Sequence, residues 1–587
     1  MTISSTASNY DKDPIIDVLG TAEGAAWRGW PLVIAALRAA LESLERPGAV
    51  LTIDTYPGVD LNEIWNALRS AWPELQLIDA EAARLPPARI DQMIERNLTD
   101  DRVFGVMSCH ELPEFYDAEL LLELRARADS ESGPVAVIGT GAALVHPGDI
   151  LVLADLPRWE RQLRLRRGDS NWATSNPDED ILRKYKRGFF WEWRIADRHK
   201  RSLLTNLDFL LDTTSPGDPK LVTGGAFRAG LHKVARRPFR LVPYFDVGVW
   251  GGTWMREVCG LDKSVENYAW GFDGVPEENS LKLRYGDVVL EVPAIDLVFS
   301  QPKELLGERV FARFGAEFPI RFDFLDTMGG QNLSLQVHPL VQYVQEHFGM
   351  HYTQDESYYF LDAGDDACVY LGLKEGVKVS DFATELEAGA SGSRPVDDAG
   401  FVNRFAVKKH DHVLIPAGTV HCAGRNAMVL EVSATPYIFT FKLWDWGRLG
   451  LDGLPRPVHI EHGIRVIQAD RDTAWVQSNL LNRVEPLAAS GEWREERTGL
   501  HELEFIETRR HWFTGPVHHQ TNGSVHVLNL VHGREAVVES PSGAFAPLVV
   551  HYAETFIVPA AVGEYVVRPH GESAGHELAT LCASVRV

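Results

Sequence analysis

The sequence predicts a multidomain protein, with an α/β unit at its N-terminal end and β-rich domains after it. Three observations carry this. The chain has 587 residues, a length that allows roughly three to five domains. Up to about residue 235, strand-like and helix-like patterns alternate, as in a parallel sheet with crossover helices. From about residue 236, short apolar runs, turn residues and aromatics replace that alternation. The expected domains are 1–235, 236–470 and 471–587.

Taken in order, Ala25 to Glu45 reads as an amphipathic helix. Ala49 to Asp54 is an apolar strand, broken by Tyr56-Pro-Gly58. Asp60 is placed to cap a helix through Leu61, Ile64, Trp65 and Leu68, which recur at helical spacing. Further strands are expected at Leu75–Ile78, Val103–Met107 and Val135–Ile138. Within the β-rich part, Ser380-Asp381 should cap a helix over Phe382–Leu386 that ends near Gly389. Ala388 to Val396 is a loop by composition.

Composition narrows the function classes. A formal charge of −24 argues against nucleic-acid binding, which needs clustered cations. An anionic substrate then requires a local positive pocket. Five cysteines without a CxxC pair fit reduced thiols in a cytoplasm. No basic, apolar-cored leader opens the sequence, and no apolar stretch of about 18 residues predicts a membrane span.

The most informative pattern lies in three short segments. Gln336 and His338 are two apart, so on a strand they share a face. Glu356 opens an aromatic run that reads as another strand, and His421 follows a tight Pro416-Ala-Gly418 turn. Two imidazoles, one carboxylate and one amide oxygen suit Zn²⁺, one ion per chain, and leave a coordination position for substrate. Near the C-terminus, Ile557-Val-Pro-Ala-Ala-Val-Gly-Glu564 echoes Leu414-Ile-Pro-Ala-Gly-Thr-Val-His421, with Glu564 at the histidine position. This predicts a second barrel without metal. His410, His412, His459 and His462 read as structural or surface residues, and the alternating Phe439, Phe441, Trp444 and Trp446 as packing.

From about residue 244 to the C-terminus the chain resembles the class I mannose-6-phosphate isomerases. The motifs that carry this run in the family's order: Val249-Trp-Gly-Gly252, Phe318-Pro-Ile320, Leu333-Ser-Leu-Gln-Val-His-Pro339, Glu356-Ser-Tyr-Tyr-Phe360, Ile415–His421, Val429-Leu-Glu431, Thr440–Arg448 and Val458-His-Ile460. The resemblance implies two cupin-type β-barrels (jelly rolls). It implies zinc held by Gln336, His338, Glu356 and His421. It further implies interconversion of mannose 6-phosphate and fructose 6-phosphate through an enediolate. Glu431 is then the candidate acid/base, and Lys442 and Arg448 the candidate cations for phosphate or enediolate.

The sequence departs from the family at substrate-facing positions. Gln354 stands where bacterial members usually have Lys, Lys442 where they have Arg, and Tyr268 where they have Glu; Asp323 also replaces a family Lys. The N-terminal segment faintly resembles P-loop kinases of the uridine kinase type. Thr52 to Asp60 sits where a phosphate cradle would sit, but Val59 and Asp60 replace its Lys and Ser/Thr. The basic stretch Arg161–Arg167 reads as a solvated helix face, with an anion site as the alternative. The expectation is a cytoplasmic isomerase acting on a small sugar phosphate, with homo-oligomerisation left open. The alternatives are another sugar, a bifunctional kinase–isomerase, or a sugar-phosphate sensor without turnover.

Overall fold

The computed structural model describes residues 8–18, 25–499 and 501–586. The protein is multidomain and rich in sheet. It divides into two compact units: one holds residues 15–234 with 276–301, the other 1–14, 235–275 and 302–587.

The first unit is built on a seven-stranded sheet. Its strand order is Ala26–Arg28, Lys220–Thr223, Phe209–Asp212, Ile150–Asp155, Val50–Thr55, Val135–Gly139, Gln76–Asp79. The last five of these run parallel, and the pairs made by Lys220–Thr223 are antiparallel. Val50–Thr55 and Ile150–Asp155 are buried at every residue, as strands covered on both faces must be. Asp60 caps the helix Leu61–Ala71 by accepting from the Asn62 and Glu63 amides, as its position predicts.

Several sequence-based expectations shift. The first helix begins at Trp30, because Gly29 at φ 83° and Pro31 define its start; Ala26–Arg28 is a strand. Val103–Met107 forms no strand. The Val106 amide bonds the Asn97 carbonyl, and that of nearby Ser108 bonds the Phe190 carbonyl. The stretch 276–301, read as part of 236–470, packs in this first unit. Its hairpin Ser280–Tyr285/Val288–Pro293 takes Ile15–Asp17 as a parallel third strand.

The second unit contains two pairs of antiparallel sheets. In the first pair, a six-stranded sheet carries Glu356–Ala363, Ala427–Ala434 and Ile320–Asp326 at its centre. Its five-stranded companion runs Val402–Ala406, Cys368–Leu373, His421–Ala423, Leu335–Val337, Phe441–Trp444. The helix expected near Phe382 spans Val379–Ala390, so Ser380 and Asp381 lie in its first turn rather than before it; Asp381 there favours the helix dipole. In the second pair, six strands from Glu485–Ala489 to Thr555–Val558 and four strands around Glu535–Glu539 enclose one apolar core. Phe513, Leu528 and Leu578 come from the larger sheet, and Val517, Val538 and Val567 from the smaller. Among the described residues, no helix is long and apolar enough to cross a membrane.

Candidate metal centre

Four predicted ligands converge where the first pair of sheets meets. Gln336 lies in Leu335–Val337 and His338 follows directly; His421 opens His421–Ala423, and Gln336 pairs with it across the ladder. Paired residues share a face, so both point the same way. Glu356 opens the facing strand of the six-stranded sheet. The His338 Nε2 is 3.1 Å from Glu356 Oε2, and the His421 Nε2 is 2.8 Å from Glu356 Oε1. The side-chain amide of Gln336 is 3.2 Å from the same His421 nitrogen. Among the described residues, His338, Glu356 and His421 are the one group of three acidic, histidine or cysteine side chains close enough to share a metal ion.

Backbone carbonyls orient both rings. The Nδ1 of His421 bonds the Thr419 carbonyl at 2.8 Å, and that of His338 the Phe439 carbonyl at 3.4 Å. Each Nδ1 then carries the proton and each Nε2 presents its lone pair inward, the arrangement that supports metal ligation. The His338 Nε2 and Glu356 Oε1 are buried without a hydrogen-bond partner. Burial alone would raise the Glu356 carboxyl; the adjoining imidazoles of His338 and His421 outweigh it and hold the group well below its ordinary value. A donor set of two imidazoles, a carboxylate and an amide oxygen, left with orphaned buried atoms, fits a divalent transition metal.

The turn before His421 is clamped. Arg471 Nη1 donates to the carbonyls of Pro416 and Ala417 at 2.7 and 2.6 Å and to the Thr419 hydroxyl at 2.6 Å. Asp355 Oδ1 accepts from the Ala417 amide at 2.8 Å, and burial raises its carboxyl to about 6. No local pattern ties Arg471 to residues 416–419, so sequence reasoning missed it.

Glu431 stands on the same sheet face as Tyr358 and Asp323, its ladder partners. Burial, with Asp323 and Glu356 nearby, pushes its carboxyl well above the usual range. Gln354 links it to the centre: its amide donates to Glu356 Oε2 at 3.0 Å and to Glu431 Oε1 at 3.1 Å. Arg321 Nε donates to Asp323 at 3.2 Å and its guanidinium lies over the Tyr437 ring. This buried cation was not anticipated, although its two-residue spacing from Asp323 marks a shared face. Lys442 pairs with Gln336; burial, then Arg456, lowers its amine to about 8. Arg448 is directed elsewhere. It pairs with Asp445, and its Nη1 bonds the Asn332 carbonyl at 2.7 Å. His410 and His412 are held unprotonated, chiefly by burial, which takes each down to about 3. Glu564 opens its strand on the exposed side, 3.8 Å from His518.

In the first unit, Tyr56–Asp60 does connect a strand to a helix, beside a cavity of about 630 Å³. The Asp60 carboxylate takes the helix N-terminus where an anion would bind. The basic stretch is solvated only in part: Arg166 and Arg167 are exposed, the other two arginines are not. Arg161 and Arg164 are buried, the first on Glu192 at 3.0 Å, the second on Glu160 at 2.9 Å and the Gly58 carbonyl at 2.8 Å.

Residues 29–236 match a family model described as a domain of unknown function, DUF8485. The "Probable mannose-6-phosphate isomerase GmuF" of Bacillus subtilis (strain 168) is 28% identical over 232 residues, 39% of this chain and 68% of that protein. The mannose-6-phosphate isomerase of Streptococcus mutans serotype c (strain ATCC 700610 / UA159) is 27% identical over 234 residues, again 39% and 68%. The chain is homologous to mannose-6-phosphate isomerases over about two-fifths of its length. Among solved structures, a mannose 6-phosphate isomerase from Bacillus subtilis aligns with TM-score 0.48 and 19% identity, covering 59% of this chain and 99% of that one. A zinc-bound mannose 6-phosphate isomerase aligns with TM-score 0.45 and 16% identity, over 60% and 100%.

Proposed function

We propose that the protein is a zinc-dependent aldose–ketose isomerase that interconverts mannose 6-phosphate and fructose 6-phosphate. The observation that carries this is the buried His338–Glu356–His421 cluster with Gln336, oriented by backbone carbonyls, in a chain homologous to mannose-6-phosphate isomerases. In this reading the two pairs of sheets are cupin-type barrels, and only the first holds a metal. Gln336, His338, Glu356 and His421 hold one zinc ion, which when bound supplies Lewis-acid polarisation or positioning of the sugar oxygens.

The chain's own groups do the rest. The reaction moves one proton between C2 and C1 through an enediolate, and a second between the oxygens on those carbons. Glu431 takes and returns the first of these at a carboxylate oxygen. Gln354, donating to both Glu356 and Glu431, fixes the distance between the proton carrier and the ligand set. Lys442, beside Gln336 in the ladder, is the cation for developing negative charge or the phosphate. Arg448, tied to Asp445 and Asn332, holds the rim on which Lys442 lies.

A sensor without turnover is the competing reading, and Gln354 favours it: a neutral amide stands where the family usually has a cation. Proton NMR of mannose 6-phosphate with the protein in D₂O decides. Conversion to fructose 6-phosphate that a chelator stops and Zn²⁺ restores is the expected result. No conversion with zinc stoichiometrically bound would exclude this substrate and leave an isomerase of another sugar or the sensor.

A further inference from the structure

The second pair of sheets has an interior of two kinds. Its apolar core includes Val517, Tyr565 and Cys582. On Ile506–Phe513 the same inward alternation carries Glu507, Arg509 and His511. Arg509 pairs with the core residue Cys582 and His511 with Glu495, so this row shares the face of the core, with His511 buried and Arg509 exposed. From the opposite sheet comes His519, two residues from the core residue Val517. These groups line a cavity of about 500 Å³.

Arg509 is paired with Glu507 at 2.6 Å and with Glu495 at 3.0 Å, but the imidazoles are not fully partnered. An apolar filling would leave no orphaned atoms, yet His511 Nδ1 and His519 Nε2 are buried without a hydrogen-bond partner. The His511 and His519 rings meet edge-on at 4.6 Å, and His519 stacks on Tyr565 at 4.8 Å. His526 Nδ1 bonds the Tyr565 hydroxyl at 2.8 Å. Burial and the neighbouring His511 keep His519 and His526 unprotonated, the latter down to about 4. A neutral imidazole offers one donor and one acceptor, which is what a hydroxyl requires. Glu495 adds acceptors and Trp493 an aromatic edge to the lining.

Cations stand at the rim. Arg586 is half-buried beside Glu507. Arg309 is exposed on the helix Glu308–Phe314. That helix is drawn to the cavity because Gly307, at φ 92°, packs on the Gly523 carbonyl with no room for a Cβ, and Val525 donates to the Leu306 carbonyl at 3.1 Å. The volume suits a ligand of monosaccharide size, and the lining suits a polyol more than an apolar molecule.

We propose that this cavity is a second ligand site, separate from the metal centre, that binds a phosphorylated hexose. The sugar hydroxyls meet His511, His519, His526 and Glu495, and the phosphate meets Arg309 and Arg586. Only the choice of mannose 6-phosphate as probe rests on the proposed function. Isothermal titration calorimetry of the intact zinc-loaded protein tests the site. The expected result is a saturable class that His519→Phe and Arg309→Ala each weaken by about tenfold or more. His421→Ala leaves that class intact. Arg309 is exposed, so its removal does not disturb the core, and circular dichroism confirms that His519→Phe folds. Absence of any class with that pattern, or inorganic phosphate binding as tightly as mannose 6-phosphate, overturns the proposal. Failure of the isomerase reading would show differently, as loss of turnover by NMR with this binding class still present.

Discussion

At the scale of single residues, His421 joins two requirements. Its Nε2 faces Glu356 and its Nδ1 is committed to the Thr419 carbonyl. Replacing it by Ala removes a proposed ligand and leaves Glu356 with one imidazole fewer. The expected outcome for His421→Ala is loss of zinc by elemental analysis and loss of isomerisation together; full turnover without zinc would refute the metal's role. Gln354 makes a different prediction, because it touches the proposed ligand Glu356 and the proposed proton carrier Glu431 without being either. Gln354→Leu should retain zinc but lower turnover by about 10–100-fold, the usual effect of removing a group that orients a ligand. Steady-state kinetics with metal content measured in parallel separates the two.

At the scale of elements, the turn Pro416–Thr419 behaves as a preformed support. Three of its oxygens are held by Arg471 Nη1 and one of its amides by Asp355. Arg471→Met should therefore weaken zinc affinity by about 10–100-fold with little change in secondary structure, measured by competition with a fluorescent chelator. In the first unit, Asp60→Ala removes the cap of Leu61–Ala71 and should cost about 1 kcal/mol in urea unfolding.

These elements also show what a linear reading can reach. The convergence of Gln336, His338, Glu356 and His421 was legible because they sit on or beside short strands, where period two and a Pro-Gly turn state which face each residue shares. The capped helix after Asp60 was legible for the same local reason. Arg471 was not, since 52 residues separate it from Thr419 and nothing local predicts that contact. The buried arginines of the first unit were misjudged because a basic helix reads as solvated unless its acidic partners are known. Glu192, lying 31 residues beyond Arg161, supplies that partner.

At the scale of the whole molecule, buried charge decides how the units respond to conditions. Arg240 is buried between Asp273, at 3.2 Å, and Glu554, at 2.9 Å. Removing one member leaves uncompensated charge, so Arg240→Met should destabilise the second unit by about 3–5 kcal/mol in chemical denaturation. Buried groups of opposite charge type should also respond to pH with opposite sign. Burial lowers His412 to about 3 and His526 to about 4, against about 6.5 in an unfolded chain. Stability that depends on their neutral forms is present above pH 6.5 and falls as the medium is acidified toward those values, by up to about 1.4 kcal/mol per unit for each residue. In the first unit, burial raises Asp296 to about 7. Its contribution is complete below about pH 4 and declines as pH rises through 7. Peptide-resolved hydrogen exchange between pH 4.5 and 8 should show protection around His412 and His526 falling on acidification and protection around Asp296 falling as pH rises through 7; parallel behaviour at these sites would contradict these assignments.

The hairpin and helix at 276–301 complete a unit whose other residues end at 234. Lys200 is held at 2.9 Å by both Asp155 and Asp296, and Ile15–Asp17 pairs only with Ser280–Tyr285 within its sheet. On the ribosome, where synthesis proceeds at about 5–20 residues per second, this unit therefore cannot close until the opening strands of the next one have already been made. Birth order and folding order are interleaved. A fragment ending at residue 235 would carry the seven-stranded sheet with a buried lysine missing one of its two carboxylates, so an expression boundary placed there would cut through a structure rather than between two.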